Sequence, residues 1–336
     1  MNLPQFVQIE PVGQCNLACK MCPVTFREEP GIAGEPVRPP AFMSYEVFCR
    51  LIDQFSGMSE LHLQGLGEPL LHPRFFDMVG YAAAKGVAVT TNSNLTALSE
   101  RRAEECVRSG LARLHVSLDA AEAQAYEYIR VGARFSKVLR NLGWLNEAKA
   151  RLRAERPEIR LVAVAMRRNL EQLPALVRLA HAYQVHSLSV QHLAHDFSEA
   201  SLPPKYQPMR RFVDEETLAT EDPARVQHWF EAARAAAAAL GVQLRLPNAG
   251  PQPRRAGARG RERCDWPWRG AYIAYSGEAM PCCMVATPDR KNFGSMARDG
   301  VEAIWNNAGY HEFRAQLDSD DPPEVCRGCA VYQGKF

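Results

Sequence analysis

Apolar residues between positions 6 and 190 fall into short runs that are separated by longer amphipathic stretches. The runs are rich in Val, Ile and Leu, as is typical of strands buried in a parallel sheet. The predicted strands cover residues 6–10, 61–64, 87–91, 114–118, 159–164 and 187–190. The stretches between them predict helices at 44–55, 73–85, 99–109, 135–155 and 170–183, with Ser44 and Ser99 as N-caps.

This alternation predicts an α/β fold with a parallel sheet and right-handed crossovers. Eight strand–helix units close a full barrel, so six units predict a partial (βα)6 TIM-like barrel. In such folds, ligands bind at the carboxyl ends of the strands. We therefore expect the chemistry in the loops that follow the strands.

Beyond the sixth strand the pattern changes. Residues 196–222 predict an irregular connection, and the Ala-rich segment 223–240 predicts a helix that ends at Gly241. Residues 27–42 and 247–263 are rich in Pro and Gly and predict loops, the second one a linker. The predicted organisation is a barrel at 1–195, a connecting helix and linker at 196–263, and a small α+β domain at 264–336.

Composition narrows the class of protein. Apolar residues make up 46% of the 336 residues, and the net charge of +2 gives no reason to expect nucleic acid as a partner. No apolar run is long enough to span a membrane, and the N-terminus lacks the features of a signal peptide. We therefore expect a cytoplasmic protein whose clustered cysteines bind metal instead of forming disulfides.

Three of the ten cysteines, Cys15, Cys19 and Cys22, lie in the loop after the first predicted strand. Structural zinc sites normally use four protein ligands, and four cysteines are usual for a 4Fe–4S cluster. Three thiols with no nearby histidine therefore indicate a cluster with one iron open to a small molecule.

A second group of cysteines lies near the C-terminus. Its members are Cys264, Cys282, Cys283, Cys326 and Cys329. Four of these thiols could hold either a structural zinc ion or a second iron–sulfur cluster, and spacing alone does not separate the two.

Several strings resemble those of the radical S-adenosylmethionine (radical SAM) enzymes over roughly residues 6–193. The three early cysteines match the family's defining C-x3-C-x-aromatic-C string, with Met21 in place of the aromatic residue. Residues 66–69 are similar to its GGEP string, with Leu66 in place of the first Gly. Residues 91–93 and 117–119 are similar to its TNG and SLD strings, and Arg130 matches an arginine that follows.

This resemblance implies a site for S-adenosylmethionine (SAM) on a 4Fe–4S cluster held by Cys15, Cys19 and Cys22. Reduction of the cluster would cleave SAM and release a 5′-deoxyadenosyl radical. The implied SAM contacts are Gly67 and Glu68 with the ammonium, Ser117 and Arg130 with the ribose or carboxylate, the Met21 backbone with the adenine, and Asn92 and Ser93 at the end of the third strand.

The C-terminal cysteines resemble the twitch form of the SPASM auxiliary-cluster domain. The resemblance implies one auxiliary 4Fe–4S cluster on Cys264, Cys282, Cys326 and Cys329, because no cysteine follows Cys329 as a full SPASM domain would need. The cysteine layout is similar to that of the 2-deoxy-scyllo-inosamine dehydrogenases. Cys283 is left over as a buried residue or as a hydrogen-atom donor.

The resemblance implies hydrogen abstraction from a small polar substrate such as a sugar, aminocyclitol or nucleoside. We expect oxidation, with the auxiliary cluster as electron acceptor and a flavodoxin or ferredoxin as electron donor. The alternatives are epimerisation with Cys283 as donor, carbon–carbon bond formation, a peptide-modifying SPASM maturase, and a non-catalytic electron carrier. Only fourteen residues precede Cys15, which disfavours a maturase with a leader-binding domain before the barrel.

Overall fold

A computed structural model describes residues 2–27, 41–193, 199–249, 264–285 and 287–333. Its strands form one sheet in the order β7-β6-β5-β4-β3-β2-β1-β8-β9. The strands are β1 Phe6–Ile9, β2 Glu60–Leu63, β3 Ala88–Ser93, β4 Arg113–Ser117, β5 Glu158–Ala165, β6 Ser187–His192, β7 Gln243–Arg245, β8 Gly270–Ile273 and β9 Ala279–Met280.

Strands β1 to β7 are parallel, and each pairs with the next one along the chain. Their side chains alternate between the two faces of the sheet. The residues on the helix-covered face are apolar and buried, for example Val7, Leu61, Val89, Leu114 and Leu161. The alternation therefore explains why a helix returns over the same face after each of the first six strands. The predicted α/β partial barrel is confirmed.

Helices cover the outer face and build the C-terminal part. They are α1 Val24–Arg27, α2 Tyr45–Gln54, α3 Phe75–Ala84, α4 Glu100–Arg108, α5 Ala123–Ile129, α6 Phe135–Leu152, α7 Leu173–Ala182, α8 Gln207–Glu216, α9 Pro223–Leu240, α10 Trp266–Arg269, α11 Met296–Asp299, α12 Val301–Trp305, α13 Ala308–Asp318 and α14 Glu324–Arg327. Ser44 and Ser99 cap α2 and α4 through their side chains, as predicted. Among the described helices, none combines the length and apolar character that crossing a membrane requires.

The structure corrects the sequence prediction at three places. The segment predicted as irregular at 196–222 contains α8, and the connecting region contains β7, which extends the parallel sheet beyond β6. The C-terminal part also joins the sheet, because β8 pairs with β1 in parallel and β9 pairs with β8 in the antiparallel sense. Most of the loop predicted at 27–42 and of the linker predicted at 247–263 lies outside the described residues.

Candidate functional site

The cysteine loop leaves β1 at the carboxyl edge of the sheet, and backbone hydrogen bonds fix it there. Ala18 N donates to Val131 O at 2.9 Å, and Lys20 N donates to Ile129 O at 3.2 Å. On its other side, Glu68 N donates to Gln14 O at 3.0 Å. The loop is thus held between the end of α5 and the turn after β2.

Gly67 makes this close packing sterically possible. A β-carbon on Gly67 would stand 2.0 Å from Val12 O and 2.6 Å from Gln14 O. Real β-carbons do not approach backbone oxygens so closely, so only glycine fits without moving the backbone. Gly67 is therefore required for the position of the cysteine loop, whatever else it contacts.

The three early thiols lie near one another in a buried setting. Burial raises the pKa of Cys15 to about 11 and that of Cys22 to about 12, and the charges of neighbouring cysteines add to both increases. Burial also raises the pKa of Cys19, against the opposing charge of Arg130. Thiols with pKa values this high are protonated at pH 7 and would lose their protons on binding iron. Metal binding here is therefore coupled to proton release.

The donors in the cysteine loop are thiols alone. In the described part of the chain, no three His, Cys, Asp or Glu side chains are close enough together to hold one metal ion. A zinc ion would draw sulfurs to about 2.3 Å from one point, whereas a 4Fe–4S cluster separates its thiolates around a core of several atoms. The three early thiols share one electrostatic environment, and an all-thiol set fits a 4Fe–4S cluster by its donor chemistry.

Asn94, which the sequence analysis missed, contacts the cysteine loop directly. Its Nδ2 donates to Cys15 Sγ at 3.7 Å and to Asn16 Oδ1 at 3.2 Å. Its Oδ1 accepts from Thr96 N at 2.9 Å, and Asn16 Nδ2 donates to Thr96 Oγ1 at 2.7 Å. The network fixes the orientation of the amide, so Asn94 presents a steady N–H donor to a predicted cluster ligand.

The Glu68 carboxylate is buried and engaged within the protein. Its Oε1 accepts from Ser93 Oγ at 2.7 Å and from Leu70 N at 3.1 Å, and its Oε2 accepts from Asn94 N at 2.8 Å. Burial raises its pKa, against these hydrogen bonds. Glu68 and Ser93 therefore tie the turn after β2 to the end of β3, beside Cys15, and their contact with a SAM ammonium stays a prediction.

Arg130 is buried beside the cysteine loop and paired with Asp119. Arg130 Nε donates to Asp119 Oδ2 at 2.8 Å, and Asp119 Oδ1 accepts from Val164 N at 2.8 Å. Burial favours a lower pKa for Arg130, but the charges of Asp119 and Cys19 outweigh this effect and raise the pKa. The guanidinium is a permanent cation, suited to a carboxylate ligand.

Tyr126 supplies a further polar group at this place. Its hydroxyl is fully buried and has no hydrogen-bond partner among the described residues. Burial raises its pKa, and the charges of Arg130, Asp119, Cys19 and Glu68 also act on it. A buried hydroxyl without a partner is costly, so the site fits a ligand with polar atoms such as SAM.

The other predicted SAM contacts lie around the same edge. Met21 is buried within the cysteine loop, and Ser117 is half-buried at the end of β4. Asn92 faces the inside of the barrel, where its Oδ1 accepts from His115 Nδ1 at 2.8 Å. The structure thus brings the predicted residues to one edge, and their individual roles towards SAM remain predictions.

The inner face of the sheet is polar near this edge. His62 Nδ1 hydrogen-bonds with Thr90 Oγ1 at 2.8 Å, and its Nε2 donates to Gln64 Oε1 at 3.1 Å. Burial lowers the pKa of His62 and that of His115 to about 4, so both rings are neutral at pH 7. The concave face therefore offers neutral hydrogen-bonding groups to a substrate.

The C-terminal cysteines also share one environment. Burial raises the pKa of Cys264 to about 11 and that of Cys326 to about 12, and the Cys329 charge contributes to both. The pKa of Cys282 is raised by burial and by the charges of Cys283, Cys264 and Cys329. Like the early trio, this set fits a cluster by its donor chemistry.

Cys283 lies beside this group without being part of the predicted ligand set. It packs against a small cluster formed by Tyr272, Ala274 and Met280. Burial raises its pKa to about 11, with contributions from the Cys329 and Cys264 charges. It therefore adjoins the predicted auxiliary site, and its role as hydrogen donor stays a prediction.

Comparison with protein-family models identifies both halves of this arrangement. Residues 9–186, more than half of the chain, match the radical SAM superfamily, and residues 264–330 match the SPASM iron–sulfur cluster-binding domain. The second match resolves the choice between zinc and iron–sulfur in favour of a cluster.

Curated relatives match to different extents. The PqqA peptide cyclase of Xanthomonas euvesicatoria pv. vesicatoria is 27% identical over 336 residues, covering 97% of this chain and 80% of that protein. The tungsten-containing aldehyde ferredoxin oxidoreductase cofactor-modifying protein of Pyrococcus furiosus is 26% identical over 181 residues. That match covers 52% of this chain and 47% of the relative, so the chain spans about half the length of that protein.

Solved structures agree on the fold. The crystal structure of Streptococcus suis SuiB bound to its precursor peptide SuiA superposes with a TM-score of 0.67 at 14% identity, covering 99% of this chain and 71% of that one. The cofactors are SAM and two 4Fe–4S clusters, one in each matched region. The sequence motifs, the parallel sheet and the position of the early cysteines all agree with the family model that matches residues 9–186. The chain therefore belongs to the radical SAM superfamily.

Proposed function

We propose that this radical SAM enzyme modifies a peptide. The observation that carries the proposal is the likeness to PqqA peptide cyclases, which extends over 97% of this chain and 80% of the relative. A likeness of that extent includes the barrel, the connecting region and the cluster domain together. It favours the maturase alternative over the small polar substrate that the cysteine layout suggested.

The early cysteines and their supports would act as one cofactor site. Cys15, Cys19 and Cys22 would hold the cluster, and Arg130 and Tyr126 would face polar atoms of SAM. When bound, SAM and its cluster supply a radical that abstracts a hydrogen atom from the substrate. The protein binds, orients and excludes water, as cofactor enzymes generally do.

The open sheet supports a substrate larger than a sugar. In the described residues, β7 and β9 lie at opposite ends of the sheet and do not pair with each other. A sheet that is open in the described part of the chain gives lateral access to the carboxyl edge. The outer edge of β9 is bonded to residues 293–295, so the edge that would pair with an extended peptide is that of β7. The neutral polar groups at His62, Gln64, Asn92 and His115 would then contact peptide amides.

The test is an anaerobic assay with reconstituted enzyme, SAM and dithionite. A PqqA peptide and a panel of sugars and aminocyclitols serve as candidate substrates, with 5′-deoxyadenosine and product mass as readouts. We expect SAM cleavage to rise about tenfold or more with peptide and the peptide mass to change. Stimulation by small polar molecules alone would instead support oxidation of a small substrate.

The same assay separates the redox outcomes. In deuterated solvent, deuterium at the reacting carbon of the product indicates that a hydrogen atom was returned to the substrate radical. Absence of this deuterium with the Cys283→Ala variant identifies Cys283 as the hydrogen donor. Oxidation or cross-linking leaves no solvent deuterium at the reacting carbon. If dithionite yields no 5′-deoxyadenosine with any substrate, the electron-carrier alternative gains support.

A flavodoxin or ferredoxin as electron donor is part of the proposal. Replacing dithionite by reduced flavodoxin or ferredoxin tests whether such a protein delivers the electron. We expect 5′-deoxyadenosine to form with the reduced protein donor in place of dithionite, and no product with either donor protein would count against this part of the proposal.

A further inference from the structure

Residues 199–206, here called the bridging segment, contact the helix that carries one of the predicted auxiliary ligands. Glu324 lies in α14, two residues before Cys326. Its Oε1 accepts from Ala200 N at 2.9 Å and from Ser201 N at 3.2 Å, and its Oε2 accepts from Ser201 Oγ at 3.0 Å. The bridging segment thus fixes α14 through three hydrogen bonds.

The same segment contacts the turn that follows Cys282 and Cys283. Glu199 forms an ion pair with Arg290, and the two side chains are only 3% and 4% exposed. Arg290 Nη1 donates to Val285 O at 2.9 Å and to Met284 O at 3.3 Å. One buried guanidinium therefore links the bridging segment to the backbone beside the predicted ligands.

The charges of this pair act at the auxiliary site. Both act on the Cys326 thiol, where Arg290 favours the thiolate and Glu199 opposes it. A buried pair is a poor source of stability, since an apolar pair of similar size often serves as well. Its charges reach the Cys326 thiol and its guanidinium holds the backbone after Cys283, which points instead to a role at the cluster.

We propose that Glu199 and Arg290 are positioning residues that hold the Cys282 turn and set the reduction potential of the auxiliary cluster. The proposal rests on the assignment of that cluster to Cys264, Cys282, Cys326 and Cys329. Reduction adds an electron to the cluster, so a nearby cation raises the potential and a nearby anion lowers it. Because the two charges oppose each other, loss of Glu199 raises the potential and loss of Arg290 lowers it.

The experiment is a redox titration of the reconstituted holoenzyme, followed by the EPR signal of each reduced cluster. Glu199→Gln removes the anion but keeps the Arg290 charge, so it raises the auxiliary potential. Arg290→Met keeps the Glu199 charge and lowers the auxiliary potential. The double variant restores the wild-type net charge and brings the auxiliary potential back towards the wild-type value. The reduction potential of the SAM-binding cluster stays constant in all three variants.

Asp289→Asn is the matched control. Asp289 pairs with Lys205 of the bridging segment, but the two side chains are 37% and 28% exposed. Solvent screens charges at such a site, so the auxiliary potential should not move. Shifts in the same direction for both single variants, or none, would overturn the proposal by reducing the pair to a structural contact.

Two further measurements keep the result decisive. If the single variants fail to fold, Arg290→Lys retains the charge but loses the Nη1 group that donates to both carbonyls. The proposal then predicts an unchanged potential with a lower occupancy of the auxiliary cluster, and full occupancy would overturn it. Wild-type enzyme that holds only about four irons per chain would refute the ligand assignment itself, separately from the role of the pair.

Discussion

Gly67 lies against Val12 so closely that a β-carbon would stand 2.0 Å from the Val12 carbonyl oxygen. The contact joins the turn after β2 to the start of the cysteine loop. It makes a glycine of the GGEP-like string a packing requirement for the position of the three early thiols.

Gly67→Ala should therefore displace the cysteine loop. We expect lower iron content and a loss of SAM cleavage of about a hundredfold, because small misplacements of catalytic groups have effects of that order. Iron analysis and 5′-deoxyadenosine formation measure both. The control is Gly143→Ala in α6, where nothing lies within 4 Å of the added carbon. Equal activity of both variants would contradict the packing argument.

Asn94→Ala removes the N–H donor to Cys15 Sγ. Hydrogen bonds to ligand sulfurs stabilise the reduced cluster, so its potential should fall and SAM cleavage should slow by about tenfold. A redox titration and single-turnover kinetics check this. Asn146→Ala in α6 is the control, because the Asn146 amide donates to Tyr183 O and not to the cysteine loop. A potential that is the same in both variants would show that Asn94 has no electronic effect.

Asp119→Asn leaves the buried Arg130 cation without its counter-charge. We expect a loss of about 3–5 kcal/mol in the free energy of unfolding, since breaking a buried pair strands one charge. Urea denaturation measures it. Glu127→Gln breaks the exposed pair with Arg134, whose side chain is 77% exposed, and should cost about 1 kcal/mol or less. Similar losses for both variants would argue against a buried ion pair at Arg130.

The two neutral histidines inside the barrel predict a pH dependence of stability. Their folded pKa of about 4 lies below the unfolded value of about 6.5, so the unfolded chain binds more protons between these limits. Stability should therefore fall as pH drops from about 6.5 to 4, by on the order of 2 kcal/mol after allowance for partial exposure. Urea midpoints at several pH values, for wild type and His62→Gln, measure it. An equal pH slope in the variant would contradict a buried neutral His62.

The six barrel strands could be predicted because their signal is local. Each is an apolar run followed by a helical stretch, and Ser44 and Ser99 mark the start of two of these helices. Strand β7 has only three residues, and β8, although as long as β1 and β2, is followed by β9 and not by a helix. The place of both strands in the sheet depends on partners far away in the chain.

The residues of the candidate site also differ in whether the sequence alone could reveal them. The cysteines, Gly67 and Arg130 belong to strings that are readable in the sequence. Asn94 reaches Cys15 across 79 positions, and Glu199 reaches Arg290 across 91. Such pairs exist only once the chain has folded, and the position of Asn94 directly after the TNG-like string was the one local hint.

The central claim is that Cys15, Cys19 and Cys22 hold a cluster at which SAM is cleaved. The most direct measurement is 5′-deoxyadenosine formed by anaerobically reconstituted wild type and by the variant with all three cysteines replaced by alanine. Wild type should bind about eight irons per chain and form the product, while the variant retains about four irons and forms none. Product formation by the triple variant at the wild-type rate would contradict the account.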